Sequence, residues 1–148
     1  MISTRAFRAA GAVAVLSAGV WVGGLSNVAR AGAAASPQLV VKYSGPLTNG
    51  TIVTVSGSGF KAKDQVYITE CLATAVGPAQ CDIATAVPVK ISTTGVLSVT
   101  KFKVVTGKIG TGSCGTKLSN LKSCALSVGN ASGGDTATVR VTFATPKK

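Results

Sequence analysis

The stretch Thr51-Ile52-Val53-Thr54-Val55-Ser56-Gly57-Ser58-Gly59-Phe60 decides the fold class. β-Branched residues fill it, apolar Val53 and Val55 alternate with threonine and serine, and glycines close it at 57 and 59. A period of two in that composition is a strand with one buried face. The same pattern recurs on both sides. Residues 39–43 lie before it across the turn signal Leu47-Thr48-Asn49-Gly50, and residues 66–71 follow the polar turn Lys61-Ala62-Lys63-Asp64. Residues 86–91 and 96–104 flank Ser92-Thr93-Thr94-Gly95, while 123–128 and 136–143 flank the glycine-rich run from Gly129 to Gly134. These are seven short strands with glycine-rich turns and no convincing helix after the N-terminal region. They predict an all-β chain folded as an immunoglobulin-like antiparallel β-sandwich of seven strands.

One of these strands breaks its own period. Between residues 96 and 104 the apolar positions run Leu97, Val99, then Phe102, Val104, so the phase slips by one near Thr100 and Lys101. A regular strand would turn one of those pairs to solvent. A β-bulge, or a switch between sheets, is expected there to keep both inside.

The N-terminal region reads as an export signal. Arg5 and Arg8 give a positive start, the run from Ala9 to Leu25 is apolar and rich in alanine and glycine, and Ala29-Arg30-Ala31 and Ala33-Ala34-Ala35 offer small-residue cleavage sites. Residues 1–35 are therefore expected to be removed, after Ala31 or Ala35, leaving a single domain over residues 36–148. A membrane anchor needs about 20 strongly apolar residues. This run is shorter and is interrupted by Gly19, Gly23 and Gly24.

In an exported chain an even number of cysteines reads as a disulfide framework. The four here are Cys71, Cys81, Cys114 and Cys124. Three connectivities exist; pairing of sequence neighbours, Cys71 with Cys81 and Cys114 with Cys124, is the simplest. A zinc site is the competing use, but its cysteines stand two to four residues apart. These stand ten apart and the chain has no histidine, so no metal is expected.

Charge points to anionic surroundings. Fifteen Lys and Arg against four acids give +11, and without Arg5, Arg8 and Arg30 the balance is 12 minus 4, or +8. Such a surface favours weak, non-specific contact with DNA or anionic polymers. The bases are nonetheless dispersed: Lys101 and Lys103 alternate on one strand, Lys108, Lys117 and Lys122 are scattered after it, and Lys147 and Lys148 end the chain. Catalysis is poorly provided for. The acids Asp64, Glu70, Asp82 and Asp135 fall on different turns and strands, and no pair is spaced for acid and base work. The chain is read as a non-enzyme.

The segment from Leu47 to Phe60, followed by Tyr67-Ile68-Thr69-Glu70-Cys71, nine residues and Cys81, resembles the neocarzinostatin family of apoproteins. Cys124-Ala125-Leu126-Ser127-Val128 with Gly129-Asn130 adds a weaker match, and the likeness spans about Leu39 to Phe143. The resemblance implies a monomeric seven-stranded sandwich with two disulfides between sequence neighbours, secreted by an actinomycete. It also implies a non-covalently held enediyne chromophore in a cleft; the chromophore cleaves DNA, and the protein protects and carries it.

The departures fall at that cleft. The family's best-known member has a tryptophan two residues after the first cysteine, where this chain has Ala73; its phenylalanine and leucine around the second cysteine align with Ala86 and Ala79. The aromatic-rich hairpin shrinks here to residues 106–112, and the second disulfide loop is longer. Carried over, the resemblance lines the cleft with Leu72, Ala73, Ala79, Ala86, Phe102 and Gly129, with Phe102 either a ligand contact or core packing. Two functions stay open: a carrier of a small hydrophobic ligand, or a sandwich that has lost the ligand and adheres through its basic surface to anionic envelope polymers or nucleic acid.

Overall fold

The computed structural model describes residues 35–146, so the expected export segment lies outside the described residues except for Ala35. Strands β1 (Gln38–Lys42), β2 (Ile52–Ser58) and β5 (Leu97–Lys103) form one antiparallel sheet in the order β1-β2-β5. Strands β3 (Gln65–Leu72), β4 (Val87–Lys90), β8 (Cys124–Gly129) and β9 (Ala137–Val141) form a second in the order β4-β3-β8-β9. The seven strands of these two sheets are the sandwich. A separate short hairpin, β6 (Gly107–Ile109) with β7 (Gly112–Cys114), stands between β5 and β8 in the chain. Among the described residues no helix is long and apolar enough to cross a membrane; helical structure is confined to single 3-10 turns such as Pro78–Gln80 and Ile83–Thr85.

Alternation does the sorting. Val53 and Val55 of β2 and Leu97 and Phe102 of β5 meet Val66 and Ile68 of β3, Leu126 and Val128 of β8, and Val141 of β9 in one buried cluster. Residues at the intervening positions, Thr54, Tyr67 and Thr138 among them, face outward. Burying this set is the main stabilising term, about 2 kcal/mol for each large apolar side chain.

The phase slip in β5 is a bulge. Val53 pairs with Phe102 and Val55 with Val99, so Thr100 and Lys101 together stand opposite the single residue Thr54. The extra residue lets Leu97 and Phe102, five positions apart, both point inward at 0% and 2% exposure. Lys101 and Lys103 are exposed on either side of the buried Phe102.

Candidate ligand cleft

Three neighbouring strands meet at one end of the four-stranded sheet. Leu72 ends β3 opposite Cys124, the first residue of β8, and Cys124 is opposite Val141 at the end of β9. The chain turns there on both sides of the sheet. Ala73 donates its N–H to the Ser123 carbonyl at 2.8 Å, and Ala75 donates to the Leu72 carbonyl at 2.9 Å. The β6–β7 hairpin folds over the same end, with Gly112 lying flat on Leu72: a Cβ added at Gly112 would come within 2.8 Å of Leu72 Cδ1. A cleft of about 320 Å³ results, lined by Leu72, Ala73 and Thr74 from the end of β3, Gly112 and Ser113 from β7, Lys122 and Ser123 before β8, and Arg140 of β9. That volume is at the lower end for sites that hold small organic ligands.

Both disulfides brace this end. Cys71 is bonded to Cys81 and Cys114 to Cys124, and no cysteine is free. The loop between Cys114 and Cys124 is organised by a side chain that the sequence reading did not single out. Asn120 is 6% exposed; its Oδ1 accepts from the N–H groups of Thr116 and Lys117 at 3.0 and 2.9 Å, and its Nδ2 donates to Ser113 Oγ and Thr116 Oγ1 at 3.2 and 3.0 Å. Every polar atom of the amide is engaged. One short side chain thereby fixes Ser113 in the cleft wall and the loop behind it.

Glu70, placed on a strand from sequence, was not recognised there as a buried group. It shares the inward face of β3 with Val66, Ile68 and Leu72, a core position by period, and is 1% exposed. Its Oε2 accepts from the Val105 N–H at 2.9 Å. Loss of water pushes the Glu70 carboxyl up to about 7, the Val105 bond opposing that rise and the Asp82 charge adding to it. Glu70, Cys114 and Cys124 place ligand-type atoms within 4.8 Å of one another. With the two sulfurs bonded to each other, no thiolate is offered to a metal.

The residues expected at the cleft are distributed as follows. Leu72 and Ala73 line it. Ala79 packs against the hairpin turn, where a side chain at Gly110 would run into its carbonyl oxygen. Ala86, half-buried, leads into β4. Gly129 pairs with Tyr67 at the opposite end of the β3–β8 ladder from Leu72, five residues or about 17 Å away along the strand. Phe102 is a core residue at 2% exposure and does not line the cleft. The chemistry on offer is a small apolar floor with hydroxyl and cationic groups at its rim.

The comparisons agree with this architecture. The model of the neocarzinostatin family matches residues 39–143. Among solved structures the chain is similar to macromomycin, at 27% identity and a TM-score of 0.56, over 74% of this chain and the whole of that one. No curated protein gives a significant match. The match over residues 39–143, the two sheets and the two disulfides make this chain a member of the neocarzinostatin family.

Proposed function

We propose that this protein is a secreted carrier apoprotein that holds a small hydrophobic ligand of the enediyne type in the cleft at the Leu72 end of the sandwich. The ligand, and not the protein, reacts with DNA. Family membership supports the reading, and the observation that carries it is the 320 Å³ cleft floored by Leu72, Ala73 and Gly112 between the hairpin and the second disulfide loop. No aromatic side chain lines it, so the contact surface is aliphatic and the ligand is correspondingly less tightly stacked than on a flat ring. The test is organic extraction of the protein secreted by its native host, followed by absorbance and mass measurement of the extract. A stoichiometric chromophore is the expected result; protein that releases no small molecule overturns the carrier reading.

A second reading is favoured by one surface. On the outer face of the three-stranded sheet Lys42 pairs with Thr54 and Ile52 with Lys103; Val40 and Ile52 are 49% and 53% exposed, and Tyr43, just past the end of β1, is 43% exposed beside them. Lysines around an exposed aromatic and aliphatic pair suit adhesion to an anionic polymer or nucleic acid.

A further inference from the structure

We propose that the cleft is selective for an anionic ligand: an apolar body carrying a carboxylate or sulfonate, seated on Leu72, Ala73 and Gly112 with its charge between Lys122 and Arg140. The inference rests on the carrier reading and adds the ligand's chemical class.

The lining holds two cations and no acid. Lys122 comes from the loop closed by the second disulfide and Arg140 from β9, opposite Ala125, so two separate elements aim positive charge at one opening. Their alkyl stems extend the apolar wall while the heads stay wet. Thr74, Ser113 and Ser123 add hydroxyl donors to the rim. An anion at this point meets a guanidinium capable of a two-pronged hydrogen bond and an ammonium beside it.

None of the four acids is in the lining. Asp64 and Asp135 are tied up around the loop after β8, accepting from Asn130 Nδ2 and the Lys61 N–H at 2.8 Å each. Asp82 accepts from Thr85 Oγ1 at 2.7 Å. Glu70 is nearest in sequence to the floor, but its carboxyl turns into the core toward Val105, and burial keeps it largely protonated below about pH 7. A cationic ligand would find no partner in the lining, and a neutral one would leave the rim charges unused.

The experiment measures binding of a matched pair of fluorescent probes, 1-anilinonaphthalene-8-sulfonate and its uncharged parent N-phenyl-1-naphthylamine, to the ligand-free folded protein at low salt. The wild type is compared with Lys122→Gln, Arg140→Gln, the double variant, and Lys90→Gln as a control on β4. The sulfonate is expected to bind more tightly than the neutral probe, and each cleft variant to weaken it about threefold to fivefold, the scale of one partly exposed charge contact. Binding of the neutral probe, and of both probes to Lys90→Gln, stays unchanged. Equal affinity for both probes, insensitive to the double variant, overturns the anion preference and leaves the carrier reading standing. Equal losses in Lys90→Gln and the cleft variants mark diffuse surface charge and overturn it too. If neither probe binds, both readings are overturned.

Discussion

A carboxyl oxygen of Glu70 lies 3.7 Å from Cys114 Sγ, in a part of the core where both residues are at or below 1% exposure. A disulfide sulfur carries no proton, so the only donor across this contact is the hydroxyl of a protonated Glu70, with the sulfur as a weak acceptor. The contact and the burial therefore favour the same neutral form.

That coupling predicts a stability that falls as pH rises. Glu70 has an ordinary value of 4.5 and a folded value of about 7, so the native state binds the extra proton. Its contribution is complete below pH 4.5 and is lost as pH rises through about 7, amounting to about 3 kcal/mol over the whole window. Between pH 5 and 8 thermal unfolding should shift down by about 10 °C or more. Glu70→Gln keeps the acceptor for Val105 and cannot ionise; it should flatten most of this slope. An unchanged slope in Glu70→Gln would place the effect elsewhere. Asp64 works in the opposite sense, since the Asn130 amide and the Gln65 N–H hold it below its usual 3.8, so its support is lost as pH falls through that lower range.

Phe102 tests how the bulge serves the core. Because the extra residue at Thr100 and Lys101 returns the ring to the interior opposite Val53, Phe102→Ala should cost about 3–5 kcal/mol of folding stability, the range for truncating a buried aromatic. Urea unfolding gives the number. Probe binding at the cleft by the fraction still folded should match wild type, since Phe102 is not in the lining. A stable Phe102→Ala protein with impaired binding would make the ring a ligand contact.

What was legible in the sequence follows the range of the interactions. Strands such as β2 announce themselves because alternation is a local property, and the bulge was visible as a one-residue slip between Val99 and Phe102. The opening at the Leu72 end shows where local pattern stops. Leu72 and Ala73 are adjacent to Cys71 and travel with it, whereas Lys122 and Arg140 reach the same opening through the order β3-β8-β9, which local pattern does not encode. Glu70 could have been found: it occupies the period-two position between Ile68 and Leu72, and a charged residue in a buried phase is a signal in itself. Asn120 carried no such mark, because its hydrogen-bond partners are set by the loop that it organises.

The basic face of the three-stranded sheet predicts a particular kind of polyanion binding. Lys103 pairs with Ile52 and Lys42 with Thr54 on the same face, with Lys101 in the bulge beside them, and no helix long enough to lie in a groove is present among the described residues. Duplex DNA should be bound weakly, without sequence preference, with affinity falling steeply between 50 and 200 mM salt as counterion release dictates. A salt titration on duplexes of different sequence checks this. Tight, salt-resistant binding that distinguished one duplex would call for base contacts that this face does not offer.

The two disulfides should differ in their resistance to reduction. Cys114 and Cys124 are both at 0% exposure in the core cluster, whereas Cys81 is half-buried on the outer side of β3. A reductant attacks through a thiolate that must reach a sulfur, so access orders the two bonds. Reduction at the second bridge is further opposed by Glu70, whose low-dielectric surroundings disfavour a new thiolate at Cys114 as they disfavour its own charge. Mild reductant under native conditions should therefore open Cys71–Cys81 first and leave Cys114–Cys124 closed until the domain unfolds. Each bridge spans ten positions, and loss of either should cost about 3 kcal/mol in the loop-entropy account. Alkylation with two distinguishable reagents before and after denaturation, read by peptide mass, gives the order directly. Early labelling of Cys114 and Cys124 with Cys71 and Cys81 still joined would show that burial and the Glu70 contact do not protect the second bridge.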